Sequence, residues 1–211
     1  MYEEYRSDAQ RSIDKYGDVK DIAPNYVQVH HQTGLVYMKL GDTALNRNDQ
    51  AQATYYYNIA LENFEKYRRI DPIFLQNYLR MAYVYMKMGN WQKAEETYRA
   101  HLDSANICHR GEHNVLWEDW GTRRKPEYGE SAVNLGNVLY YQKRITESEA
   151  AYKLSLQFNP GNTQAWRNLA ILYGNLQRAQ DALNCWRKIL ELNPNDQDAR
   201  RILGQITGSG Q

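Results

Sequence analysis

Apolar side chains recur along this chain at intervals of three and four, the period of a buried helix face and not the two-residue alternation of a strand. In residues 165–194 one such series is Trp166, Leu169, Leu172, Tyr173 and Leu176, and a second is Ala182, Trp186, Ile189 and Leu190. Gly174-Asn175 and Gln177-Arg178 form a polar break between them. The stretch therefore predicts a helix hairpin. Ala170 and Ala182 fall opposite one another in it, where small side chains let two helix axes approach to about 8 Å. Trp and Tyr on either side fill the remaining wedge.

The arrangement repeats at 34 residues: Leu135-Gly136, Ser148, Tyr152 and Pro160 match Leu169-Ala170, Ala182, Trp186 and Pro194. Leu203-Gly204 lies 34 beyond Leu169-Ala170. Upstream, Met81-Ala82, Tyr85, Ala94 and Tyr98 carry the pattern, as do Gly34, Tyr37, Ala60, Phe64 and Pro72. These residues resemble the tetratricopeptide repeat (TPR) family, whose unit runs aromatic, Leu-Gly, Tyr, Ala, Phe, Pro over 34 residues. The resemblance covers nearly the whole chain and implies an all-α fold, a right-handed superhelical solenoid of antiparallel helix pairs with a concave face. About four repeats and a half repeat at each end are expected.

Two departures from the 34-residue ruler shape the expected organisation. Gly34 to Ala60 is 26 residues, whereas the equivalent intervals from Ala82, Gly136 and Ala170 are each 12. The excess of 14 is two heptads, or about four helical turns. Seven residues added to each helix lengthen a hairpin without rotating its apolar face, which predicts long helices over roughly 26–46 and 49–69. Their tip falls at Asn46-Arg47-Asn48, with Asp49 as N-cap and Gln52 completing a capping-box-like pair. A 14-residue loop is the alternative; the alanines, and the lack of Gly or Pro from Asp42 to Asn58, argue against it. The second excess is an inserted loop, HRGEHNVLWEDWGTRRKPEY at residues 109–128. Its Trp117 and Trp120, three apart, either pin the loop to its own solenoid or form part of a partner site.

The expected order is then a second helix of a partial repeat (1–26), a repeat with the extended hairpin (27–74), a repeat (75–108), the loop (109–128), two further repeats (129–162 and 163–196), and a capping helix with a tail (197–211). Residues 3–22 read as a second helix without its first, because Tyr16 lies eight before Pro24 as Tyr152 does before Pro160. Residues 198–207 read as a first helix without its second. The two half repeats predict a segment of a longer protein, and open ends that can stack on copies of themselves.

Composition narrows the function. A net charge of +1 does not suggest a nucleic-acid partner. No run approaches about 18 apolar residues, so no membrane span is expected in this chain. The start, MYEEYRSDAQ, does not read as a signal peptide, and the sequence assigns no compartment. Eighteen Tyr against three Phe suits helix seams that are never far from water. No phosphate loop, nucleophile elbow or paired-carboxylate signature appears. Cys108-His109 with His113 lacks a second ligand pair, so no metal or cofactor is expected. His30 occupies an aromatic packing slot, and Cys185 beside Trp186 reads as core filler.

The chain therefore reads as a non-catalytic scaffold that binds an extended peptide or partner protein through the groove and the inserted loop. In the resembled family the first helices line that groove. Asn134 and Asn168, just before the two leucines, offer the donor and acceptor an extended peptide backbone needs. Gln32 and Arg80 hold the same place in earlier repeats, so an asparagine ladder is half preserved. Tyr83, Lys87, Asn137, Tyr141, Arg167 and Arg201 complete the candidate groove set, with Gln28, His31, Lys39, Gln76 and Asn175 as further face residues. Cations outnumber carboxylates there, which favours an acidic partner. Leu79 and Val133 stand where the family's carboxylate clamp has polar residues, so no chaperone-tail binding is implied. More loosely, APNYVQVHHQTGLVYMKLGD resembles repeat tails of bacterial O-antigen polymerase or ligase-type membrane proteins. That resemblance implies the alternative of an accessory domain of a larger membrane-linked polysaccharide enzyme.

Overall fold

The computed structural model describes residues 2–23, 26–71, 74–109 and 125–208. Among them are ten α-helices and no strand: α1 (Tyr2–Ile22), α2 (Gln28–Asn46), α3 (Gln50–Ile70), α4 (Leu75–Lys87), α5 (Trp91–His109), α6 (Lys125–Tyr141), α7 (Ile145–Phe158), α8 (Thr163–Asn175), α9 (Ala179–Leu192) and α10 (Gln197–Gly208). The helices divide into two units, Met1–His101 and Leu102–Gln211. In the first, α1 packs on α2, α2 on α3 and α3 on α4, and α2 also touches α4. In the second, α6 to α10 pack each on the next.

Local chemistry sets the helix starts. Asp49 caps α3 by accepting from the Gln52 amide at 3.0 Å. Asn162 caps α8 through the amides of Gln164 and Ala165. These oxygens satisfy donors that the first turn leaves without an intrahelical partner. The hairpin tips share one geometry: Asn48, Gly89, Lys143 and Gln177 all have positive φ, between 58° and 72°. Each lies seven residues after a small residue, Gly41, Ala82, Gly136 or Ala170.

Counted from the tip, every hairpin obeys one rule. Twelve residues after the first small residue comes another, Ala53, Ala94, Ser148 or Ala182, and sixteen after it comes a ring, Tyr57, Tyr98, Tyr152 or Trp186. All eight of these second-helix residues are buried. The crossing is close: Ser148 Oγ donates to the Gly136 carbonyl at 2.8 Å. A Cβ added at Gly41 or Gly136 would lie under 3.0 Å from ring carbons of Tyr57 or Tyr152. Glycine is needed there because the ring occupies the space a side chain would take.

The extended hairpin carries this contact twice. Gly34 sits against the Phe64 ring just as Gly41 sits against Tyr57. The pairs are one heptad apart on both helices, so the excess forms a second packed layer. Sequence reasoning set its register from Gly34, Ala60 and Phe64. The tip-side layer of Gly41, Ala53 and Tyr57 carries the ordinary spacing, and both layers are closed around one core that includes Met38, Ala44, Met81 and Val84.

These contacts separate two glycine replacements. Gly41→Ala is expected to lose about 1–3 kcal/mol, because overpacking against Tyr57 outweighs the gain in helix propensity. Gly17→Ala in α1, where an added Cβ meets nothing within 4 Å, is expected to gain about 0.5–1 kcal/mol. Urea unfolding of the two variants beside the parent checks both signs.

Candidate functional site

In each unit the residue after the tip-side glycine is a hydrogen-bond hub. Asp42 Oδ1 accepts from the Tyr57 hydroxyl at 2.7 Å and from the Tyr83 hydroxyl, on the next first helix, at 3.1 Å. Asn137 Oδ1 accepts from the Tyr152 hydroxyl at 2.9 Å and from Asn168 Nδ2, again on the next first helix, at 2.8 Å. The hub thus ties a hairpin to itself and to its neighbour. Gly34 is followed by Leu35, which has no acceptor, and the ring facing it is Phe64, which has no hydroxyl. Sequence reasoning placed Asn137 on the groove but missed this pairing, and it missed Asp42 altogether. The available signal was Gly-Asp or Gly-Asn sixteen residues before Tyr. Burial and the Asp42 charge push Tyr83 up to about 12, and burial raises Tyr57 and Tyr152 as well.

In the first unit, Arg80, Tyr83 and Lys87 share one face of α4, at spacings of three and four. Lys87 Nζ stands 5.3 Å from the Tyr83 ring centroid. Lys39 is exposed on α2. None of Lys39, Arg80 and Lys87 forms an ion pair among the described residues. Gln32 lies elsewhere, on an open cavity of about 330 Å³ with Tyr16, Val19, Tyr26, Gln28 and Val29. His31, expected on the exposed face, is instead 5 % exposed. Its ring packs among Phe64, Tyr67 and Phe74, and Nδ1 donates to Asn77 Oδ1 at 3.4 Å. The packing of α4 against α2 and α3 turns that position inward. Its neighbour His30 is half-buried.

The second unit differs in chemistry. Asn134 is half-buried on α6 and makes no side-chain hydrogen bond among the described residues. Asn137, one turn on, has its oxygen filled and its Nδ2 unused. Tyr141 is 63 % exposed. Asn168 is held on both sides, donating to Asn137 and accepting from Gln164 Nε2 at 2.8 Å. Asn175 Nδ2 donates to the Tyr140 hydroxyl. The cations are already matched: Arg167 pairs with Asp196 at 2.7 Å and Asp198 at 2.9 Å, and Arg201 reaches Asp198 at 3.4 Å. An amide face and a cationic aromatic face are therefore carried by different units.

Trp117, Trp120 and His113 lie outside the described residues, as do the side chains of Cys108 and His109. Among the described residues no group of three His, Cys, Asp or Glu is placed to hold a metal ion. No described helix is long and apolar enough to cross a membrane. Cys185 is buried, and burial pushes its thiol up to about 11, as suits packing.

Two tetratricopeptide repeat models match the chain, over residues 79–163 and 163–196. Human protein O-mannosyl-transferase TMTC3 is 24 % identical over 191 residues, 88 % of this chain and 18 % of that protein. A UDP-N-acetylglucosamine–peptide N-acetylglucosaminyltransferase of Giardia intestinalis is 31 % identical over 78 residues, 37 % of this chain and 5 % of that protein. The chain thus spans less than a fifth of either relative. A crystal structure of MamA is similar at TM-score 0.67 and 18 % identity, over 90 % of this chain and 91 % of that one. BtubC from P. vanneervenii is similar at TM-score 0.67 and 18 % identity, over 92 % and 74 %. At such identity the likeness is one of fold.

Asp42→Ala strips two part-buried tyrosine hydroxyls of their acceptor and is expected to cost about 1–3 kcal/mol in urea unfolding. Adding Tyr57→Phe and Tyr83→Phe to that variant should recover part of the loss, because no hydroxyl is then left unpaired.

Proposed function

Because the chain belongs to the tetratricopeptide repeat family, we propose that it is a non-catalytic scaffold that binds extended peptide segments on the faces of its first helices. Folds of this family serve in general as protein–protein interaction scaffolds. The observation that supports the finer reading is a set of polar groups that make no hydrogen bond or ion pair among the described residues: Arg80 and Lys87 on α4, and Asn134 with the Asn137 amide on α6. Asn134 and Asn137 offer a peptide backbone its donors and acceptors, with Asn168 holding Asn137 in place and Tyr141 beside them. Arg80 and Lys87, flanking the Tyr83 ring, favour an acidic segment. Arg167 and Arg201 contribute little to that preference, since Asp196 and Asp198 already neutralise them.

A second reading has one observation in its favour. Nearly the whole chain aligns with a small part of one transferase, and a third of it with a smaller part of another. This supports an accessory repeat domain of a larger enzyme, which is the coarser form of the polysaccharide polymerase or ligase alternative. The same two faces would then recruit substrate or partner to that enzyme.

Selection of random peptides displayed against the full chain tests the binding reading. Enriched peptides should be acidic. Arg80→Glu with Lys87→Glu should weaken them by about tenfold or more and flatten their salt dependence. Asn134→Ala should weaken them by about two- to tenfold, the worth of one hydrogen bond, without moving the thermal melt. The Trp117→Ala/Trp120→Ala chain reads out any contribution from the inserted segment. No enrichment, or enriched peptides indifferent to both face variants, overturns the proposal.

A further inference from the structure

The joint between α4 and the α2–α3 hairpin passes through a histidine. α4 packs along α3 and touches α2 only lightly. At that touch His31 of α2 is buried among three rings. Phe64 and Tyr67 of α3 and Phe74, just before α4, stand 5.7, 5.5 and 5.1 Å from it between centroids. Its polar contact across the joint is Asn77 of α4, which is fully buried.

Asn77 decides which proton the ring carries. Its Nδ2 donates to the Phe64 carbonyl at 2.7 Å, which turns Oδ1 toward His31 Nδ1. An amide oxygen can only accept, so Nδ1 holds the hydrogen and Nε2 is the bare nitrogen of the neutral ring. A second proton must land on Nε2, which has no hydrogen-bond partner among the described residues. The surrounding charges do not help. Arg80, one turn on from Asn77, opposes a positive ring from α4. Asp71, at the end of α3, is engaged by the Tyr67 hydroxyl at 3.3 Å. On α2 the neighbour is His30, on which Lys20 of α1 and Lys66 of α3 act. Burial therefore outweighs the support from Asn77 and holds His31 below its ordinary value of 6.5.

We infer that His31 makes the joint between α4 and the α2–α3 hairpin acid-sensitive: as the ring takes up its second proton, α4 loosens from the hairpin and admits water to the Asn77 contact. A buried charge with an unpaired N–H favours the open joint. A ring kept neutral in the fold contributes stability that is complete above its ordinary 6.5 and is lost as pH falls below it. Glu62 and Glu65, held low by hydrogen bonds from Lys66 and Arg68, lose their contributions only below the carboxylate value of 4.5. The inference goes beyond the peptide-binding reading and does not rest on it.

Urea unfolding of the full chain at about pH 7.5 and about pH 5, the range in which histidine titrates, tests it. On acidification the parent's unfolding constant should rise several-fold more than that of His31→Gln, which keeps a donor for Asn77 but takes up no proton. The same gap should separate His30→Gln from the His30→Gln/His31→Gln double variant. Hydrogen exchange, referred to the intrinsic rate at each pH, should locate the opening. The amides of Asn77 to Met81 should lose protection in the parent at the lower pH, and those of Ala53 to Tyr57 should keep theirs. NMR titration of the His31 ring in the parent, which needs no variant, should give a midpoint below 6.5. A midpoint at or above that value overturns the inference. So does an equal response to acid in parent and His31→Gln, or a loss of protection spread evenly over the first unit.

Discussion

A ring resting on the backbone of a small residue, sixteen positions earlier on the partner helix, is the contact on which the rest of the structure depends. At Gly136 and Gly41 the tyrosine ring fills the space of a Cβ, so the two helices close to the short end of their usual separation. Dispersion across so tight a seam needs no thick apolar core. The geometry also fixes where the hydroxyl of the ring arrives, beside the residue after the glycine. A buried hydroxyl without an acceptor is costly, so Asp42 and Asn137 follow from the choice of Tyr as much as from any ligand. At Tyr57, Tyr83 and Tyr152 the use of Tyr in place of Phe then has a cause. Tyrosine packs like phenylalanine and fastens the next helix through a shared acceptor.

The same contact explains why fourteen extra residues leave a repeat intact. Seven residues are close to two helical turns, and an ideal helix drifts by only about 20° per heptad. Inserting one heptad in each helix therefore returns the small residue and the ring to the same face. The hairpin gains a whole layer, Gly34 with Phe64, in register with Gly41 and Tyr57. An insertion of about five residues per helix would have rotated the glycine away from the ring. The chain accepts length here only in units that preserve the contact.

Those units are also what made the fold legible. The 34-residue spacing, the opposition of Gly136 and Ser148, the N-cap at Asp49 and the helices on both sides of the tip are local or periodic features, and a linear sequence carries them directly. The candidate faces were less legible, because their chemistry depends on neighbours that the period does not specify. Arg167 reads as a free groove cation until the turn before α10 brings Asp196 and Asp198 against it. His31 reads as a face residue until Phe74 and Asn77, more than forty positions away, close over it. Asn168 reads as a ligand contact, yet its amide is spent on Asn137 and Gln164. In each case a neighbour set by the fold engages the side chain, and the 34-residue period does not name it.

That difference supplies a way to tell scaffold from recognition surface in a repeat protein. Stability in such folds is close to a sum over nearest neighbours, so a side chain bonded within its repeat or to the next one contributes to that sum. Asp42, Asn137 Oδ1, Asn168 and Arg167 belong there, whatever their exposure suggests. A polar group that makes no such bond adds nothing to folding and can change at little cost. Arg80, Lys87 and Asn134 fall in this second class. The proposed binding role rests on them, and the chemistry of the two units differs accordingly: a cationic aromatic face on α4 and an uncharged amide face on α6 are carried by one packing rule.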